Sequence, residues 1–276
     1  MIGKTARMVC IAGMAAAMLG IGTVAGLAAG QGTDDPWPGL AREVFKNRPL
    51  ADGAGLFTLT MPYRAADAAV VPLEVRTTLP AGDERRMTGL TIVIDNNPSP
   101  VAARFTFGRK AHVTGLATRV RVNSYTEVHA VAEFSDGKLY MVKRFVKASG
   151  GCSAPALKVA DEATIHLGQM KFRQFTPHPK AKMSREAQIM IRHPNNSGLQ
   201  MNQVTRLYIP AFFVNDLKIW QGKELLLAMK GGISISENPS IRFDFKPNGS
   251  APYRVEAVDT KKDVFKGEWP AASSGM

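Results

Sequence analysis

Apolar and polar positions along this chain alternate with a period near two, in short runs divided by Gly, Pro, Asn and Asp. Leu56–Met61, Val70–Thr78, Leu90–Asp95, Ala103–Phe107, Ala117–Val122, Thr126–Phe134 and Leu139–Lys147 all read as strands. Pro72 inside the second run predicts an edge or a bulge, because proline cannot donate to a ladder. The clusters Asn96-Asn97-Pro98-Ser99-Pro100 and Ser135-Asp136-Gly137-Lys138 read as turns. A second series follows at Thr164–Leu167, Glu186–Ile191, Thr205–Ile209, Phe212–Trp220, Glu224–Met229 and Ile241–Phe245. Tyr253–Val258, a turn at Thr260–Asp263 and Val264–Trp269 form a closing hairpin. One helix is predicted, over Gly39–Asn47, with Leu40, Val44 and Phe45 on a single face and Pro49 as its stop. Strands at this spacing indicate antiparallel sandwiches, so the chain is expected to be all-β.

Between the two series the pattern breaks at Ala148-Ser-Gly-Gly-Cys-Ser-Ala-Pro155, whose small residues read as an exposed linker. The chain then divides into a first sandwich over 31–148, a linker over 149–160, a second sandwich over 161–270 and a disordered tail over 271–276. Residues 1–30 stand apart. Lys4 and Arg7 precede an uncharged, Ala- and Gly-rich run ending in Ala28 and Gly30, which reads as a cleaved secretory signal peptide. The run is also long enough to span a bilayer, so an uncleaved anchor is the competing reading and the only route to membrane association. Export places the protein in an oxidising compartment, taken here as a bacterial periplasm.

Composition then narrows the chemistry. The 276 residues carry a formal charge of +12, and loss of Lys4 and Arg7 lowers it to +10. In an exported protein that balance points to small anions and acidic proteins, and nucleic acid is not expected. Two cysteines exclude a disulfide-dense scaffold or a four-cysteine zinc site. Loss of Cys10 with the leader leaves Cys152 alone in a compartment where thiols are usually paired. His112, His129, His166, His178 and His193 form no metal-ligand spacing, and no metal or cofactor is expected. His129, in an alternating strand, reads as a structural histidine; His193, before Pro194, reads as a turn residue with surface hydrogen bonds. The methionines are dispersed like core filler, and Gly231-Gly232 reads as a turn.

Cys152 follows Gly150-Gly151 and precedes Ser153. Glycine removes bulk and widens backbone freedom, so Gly150, Gly151 and Ser153 are expected to make a flexible arm that leads with the sulfur. Lys143, Arg144, Lys147 and Lys158 lie close in sequence, and Lys147 and Lys158 are candidates for favouring the thiolate. The plainer readings are an incidental thiol or an interchain disulfide.

Ser135-Asp-Gly-Lys-Leu139 leading through a strand to Gly150-Gly-Cys152 resembles the carboxyl end of SoxY, the sulfur-carrier subunit of bacterial thiosulfate oxidation. Asp95–Gly108 and Thr126–Phe134 also resemble SoxY. Ile209–Asn215 and Ile233–Phe243 resemble its partner SoxZ, and Ile191–Gln200 does so loosely. The order is that of the fused SoxYZ-like carriers associated with quinoprotein dehydrogenases. The resemblance implies two immunoglobulin-like β-sandwich domains in tandem and a carrier or accessory protein rather than an enzyme. It implies that Cys152 holds a sulfur-linked intermediate for periplasmic redox partners, Sox-type cytochromes or a quinoprotein dehydrogenase, and that the cargo is a small anionic sulfur species. The SoxY arm is a free Gly-Gly-Cys-Gly-Gly tail; here Ser153-Ala154 replaces the second glycine pair and the chain continues, so the loop is tethered at both ends. The rival function is a non-covalent binding or assembly module for such a dehydrogenase or cytochrome system.

Overall fold

The chain was analysed as a computed structural model, which describes residues 35–155, 165–175 and 184–271. The leader over 1–30, Lys158, His178 and all but the first residue of the tail lie outside the described residues. The one described helix, α1, runs Trp37–Phe45, starting two residues earlier than the pattern predicts because Pro36 and Pro38 suit a first turn. Lys46 and Asn47 then take left-handed backbone angles and stop it ahead of Pro49.

Fifteen strands follow among the described residues. In the first half they are β1 Leu50–Asp52, β2 Phe57–Thr60, β3 Val71–Thr77, β4 Met87–Ile94, β5 Val101–Phe107, β6 Gly115–Val120, β7 Thr126–Phe134 and β8 Leu139–Val146. In the second they are β9 Met170–Phe175, β10 Arg185–Ile191, β11 Val214–Gln221, β12 Glu224–Gly231, β13 Ser240–Phe245, β14 Tyr253–Asp259 and β15 Val264–Trp269. The strands form two sheets, ordered β1-β8-β7-β4-β5-β12-β11-β14-β15 and β2-β3-β6-β13-β10-β9. The all-β expectation thus holds, with the strands of the two expected sandwiches arranged in two sheets. Alternation decides which face turns inward: Phe57 and Leu59 of β2, Val71, Leu73 and Val75 of β3, and Ile241, Phe243 and Phe245 of β13 are buried, with Thr58, Pro72, Glu74, Arg242 and Asp244 between them on the outer face. Each such side chain contributes about 1.5–3 kcal/mol by leaving water.

Both sheets run through both halves. β5 pairs with β12 from Phe107↔Leu227 to Ala103↔Gly231, and β6 pairs with β13 from Gly115↔Asp244 to Ala117↔Arg242. The two halves therefore join edge to edge, and one apolar cluster extends from Phe57 through Phe105 and Leu227 to Tyr253. Gly108 permits the closest approach at this seam, since a Cβ there would stand 1.7 Å from the carbonyl oxygen of Leu225. On the outer face, α1 packs Phe45, Leu40 and Val44 over Val93, Val131 and Leu139. That cover explains why β4 and β7 are apolar on both faces, where a half-exposed strand would alternate.

The proline reading holds locally: β3 has a neighbour on each side, but β2 ends at Thr60↔Glu74, so Pro72 stands at an unpaired edge. Two other local expectations need correction. Thr205–Ile209 is no strand. Asn202 Oδ1 accepts the backbone N–H groups of Val204 and Thr205 at 2.9 and 3.0 Å, and this side-chain turn outcompetes a ladder. No described residue of Thr164–Leu167 is in a strand: His166–Gln169 form a turn closed by Gln169 N–H on His166 O at 3.1 Å; Thr164 lies outside the described residues. The short β1, parallel to β8, and β9 escape the period-two reading, the first because three residues carry no periodicity.

Candidate functional site

β8 ends at Val146, and its extension bonds to the stretch before β3, with Lys147 N–H on Tyr63 O at 2.8 Å and Ala65 N–H on Lys147 O at 3.1 Å. The chain then enters a β-turn over Gly150–Ser153, closed by Ser153 N–H on Gly150 O at 3.1 Å, with Gly151 and Cys152 at its corners. Gly150 takes φ +75°, which glycine adopts without strain. Gly151 is needed for a different reason. A Cβ there would lie 2.1 Å from Ala68 O and 2.6 Å from Val122 O, so only glycine lets the turn seat itself.

Seated it is. Gly150 and Gly151 donate to Asn123 O and Val122 O at 2.8 and 3.1 Å. The second half closes over the turn from the other side: Ser197 Oγ donates to Cys152 O, and Gln200 Nε2 donates to Ala154 O at 3.1 Å. Between the halves lies Arg121, 1% exposed, whose guanidinium donates to Gly151 O at 3.2 Å and to Asn195 O at 3.3 Å while its Nε has no partner. Asn97 fixes the backbone around it, donating to Arg121 O and Ser234 Oγ and accepting from Asn123 N–H.

The expected exposed, flexible arm is therefore corrected. Cys152 is fully buried, and Gly150, Gly151 and Ser153 form a packed turn whose glycines serve fit and backbone angle. Composition reads small residues as mobile, but here smallness allows close packing. Burial pushes the Cys152 thiol up to about 11, against the opposing pull of Arg121, so the docked sulfur is protonated at neutral pH. The cation beside the thiol is Arg121. Lys147 instead lies over Tyr63 at 4.9 Å and Tyr125 at 6.0 Å, and Lys158 is outside the described residues.

Two histidines are placed in the interior. His129 sits 3.0 Å from Asp95 and 3.2 Å from Met141 Sδ, with Trp37 stacked 3.6 Å above it, a satisfied structural role as expected. His193 departs from its expected place at the surface: it is buried, with Nδ1 accepting Asn195 N–H at 3.1 Å and Nε2 3.5 Å from Asp259. Burial lowers its pKa against the contrary effect of Asp259. Among the described residues no cluster of His, Cys, Asp and Glu is arranged to hold a metal ion. Sequence reasoning missed Arg121, Asn97, Asn195, Ser197 and Gln200. The available signal was Arg119 and Arg121 inside an apolar strand, a placement that buried arginine rarely has without a partner.

Residues 41–152 match the SoxY family, sulfur oxidation protein SoxY, and the match ends on Cys152. Residues 174–270 match the SoxZ family, sulphur oxidation protein SoxZ. Comparison with curated proteins found no match. Among solved structures, the chain is similar to the sulfur carrier protein SoxY from Chlorobium limicola f thiosulfatophilum, at 24% identity over 41% of this chain and 91% of that one, with a TM-score of 0.34. It is also similar to a superoxide reductase (neelaredoxin) from Ignicoccus hospitalis, at 11% identity over 40% of this chain and 90% of that one, with a TM-score of 0.29.

Proposed function

Because this chain joins a SoxY domain to a SoxZ domain and belongs with the fused SoxYZ-like sulfur carriers, we propose that Cys152 is the residue on which its cargo rides. It is a Sox-type sulfur carrier, an accessory protein rather than a catalyst. The observation that carries the assignment to Cys152 is positional. The SoxY match ends on that residue, directly after Gly150-Gly151, at the turn where the two halves meet.

Loading joins Cys152 Sγ to the sulfur of a small anion that bears a terminal sulfur. One S–S bond forms, the thiol proton is lost and two electrons leave to a redox partner, a cytochrome or quinoprotein dehydrogenase. Release follows attack of a second nucleophile on the bound sulfur, which breaks the S–S bond to Cys152 and expels Sγ as the thiolate, to be reprotonated. A buried, protonated thiol does neither, so both steps belong to a state in which the turn has left its seat. The docked state stores the unloaded carrier and shields its thiol from adventitious oxidation. The exported, periplasmic location indicated by residues 1–30 makes that shielding useful.

Burial of the sulfur also suits a second reading, a non-covalent binding or assembly module in which Cys152 only packs. Intact mass of protein purified without reductant from cells oxidising reduced sulfur compounds separates the two. The carrier reading expects added mass on the wild type and none on Cys152→Ser. Free thiol alone under such growth, together with full sulfur oxidation by Cys152→Ala cells, sinks it and leaves the module.

A further inference from the structure

Large apolar side chains that stand in solvent are scarce and scattered on most proteins. Among the described residues of this chain they fall, except for Ile165 and Val264, into two groups. Each group adjoins, from a different half, residues that hydrogen-bond the Cys152 turn or its flanks. The first comprises Tyr63, Tyr125 and Phe145, 61%, 54% and 39% exposed. It adjoins the turn through Lys147 N–H on Tyr63 O and through Asn123, two residues before Tyr125, which accepts from Gly150. The second is the 199–208 loop, where Val204 is 91% exposed and Leu207 and Tyr208 about as exposed as Tyr63. That loop begins at Leu199 and Gln200, whose neighbours Ser197 and Ala154 tie it to the turn.

Both groups are held in place. Lys147 sits between the rings of Tyr63 and Tyr125, and Tyr63 meets Phe145 at 6.2 Å. In the loop, the Asn202 side-chain turn and the Met201↔Tyr208 bridge hold Val204 and Leu207 outward. A surface already set in its bound shape loses little entropy when covered. Its charge is one-sided: segments 63–64, 125–127, 143–147 and 197–209 contain Arg64, Lys143, Arg144, Lys147 and Arg206 against the single carboxylate of Glu127. A second copy of this chain would bring the same cations onto these, and the chain as a whole is at +12.

We propose that these two groups form the docking face for an acidic partner protein, one whose apolar recess is rimmed by carboxylates and which receives the Cys152 turn between them. The proposal deepens the carrier reading and rests on it. A partner seated there covers Tyr63, Tyr125, Val204 and Leu207, and its carboxylates replace water around Lys143, Arg144 and Lys147. The basic rim speeds encounter, and the aromatic and aliphatic anchors set the lifetime of the complex.

The test is surface plasmon resonance of the full chain against a purified acidic Sox-type c-type cytochrome, with vesicles containing anionic phosphatidylglycerol as the second probe. Expected are saturable binding to the cytochrome, weakening of about tenfold or more in Tyr63→Ser/Tyr125→Ser and in Val204→Ser/Leu207→Ser, and a slower on-rate in Lys143→Glu/Lys147→Glu. These side chains are exposed, Lys147 partly so, and an unchanged circular dichroism melt confirms that each variant folds. No binding by the unsubstituted chain, unchanged affinity in both apolar variants, or binding to vesicles in place of the cytochrome overturns the proposal. Mass analysis keeps the two readings apart. Binding that depends on both groups while Cys152 never carries an adduct removes the carrier reading and keeps the docking face. Equal adduct formation in all surface variants does the reverse.

Discussion

Replacing Gly151 by alanine tests the docked turn directly. The added Cβ meets two carbonyl oxygens, Ala68 O at 2.1 Å and Val122 O at 2.6 Å, and both belong to backbone already bonded into the fold. Neither can rotate away, so the turn must lift. Such overpacking costs about 1–3 kcal/mol, and 1.4 kcal/mol is a factor of ten in an equilibrium. The undocked population therefore rises roughly 5- to 150-fold. The readout is alkylation of Cys152 by iodoacetamide at pH 8 under native conditions. In the wild type, a thiol pushed up to about 11 is ionised to about one part in a thousand at that pH. A free cysteine near 8.5 is about a quarter ionised, so ionisation alone slows the wild type roughly 200-fold, before any effect of burial. Gly151→Ala should recover much of that deficit, with the rate plotted against pH moving toward a midpoint near 8.5. Wild-type alkylation at the rate of an unfolded control, or no acceleration in Gly151→Ala, refutes the docked-turn reasoning.

Other expectations follow from neighbouring groups. Arg121→Met removes the donors to Gly151 O and Asn195 O, and urea unfolding should show a loss of about 2–4 kcal/mol together with faster Cys152 alkylation; equal stability would show that the buried guanidinium does not hold the halves. His193 has its pKa lowered by burial, so the unfolded chain binds a proton that the folded chain resists. Stability should thus be full above about pH 6.5 and fall as pH drops below it, and His193→Gln should flatten that slope in urea melts at pH 5 and 7. Gly108→Ala places a Cβ 1.7 Å from Leu225 O at the seam of the sheets and should lower stability by about 3 kcal/mol, read as a fall in thermal midpoint. A chain cut within 156–164 should stay associated on size exclusion, because β5–β12 and β6–β13 pairing spans the halves; separate elution would contradict the shared sheets.

Strands whose inner face is apolar and outer face polar were legible residue by residue. Thr126–Phe134 and Val264–Trp269 have the predicted bounds, and the turn at Ser135–Lys138 closes with Gly137 at φ +76° as its composition demands. Thr205–Ile209 misled because β-branched and aromatic residues favour strands only where a partner strand covers them. Here those side chains point into solvent and a local asparagine bond claims the backbone.

The sequence alone determined the all-β class, the order of the two halves, the family and the singular position of Cys152. Each is written in local periodicity or in contiguous residues. Whether Gly150-Gly151-Cys152 swings free or packs was not, because the partners that seat it lie up to 84 residues away: Ala68 and Asn123 on one side, Ser197 and Gln200 on the other. Small residues permit both mobility and close approach, and only the surrounding backbone selects between them. The same holds for the thiol's ionisation, which sequence neighbours such as Lys147 suggested would be easy. Burial beside Arg121 makes it hard, because desolvation of the thiolate outweighs one nearby positive charge.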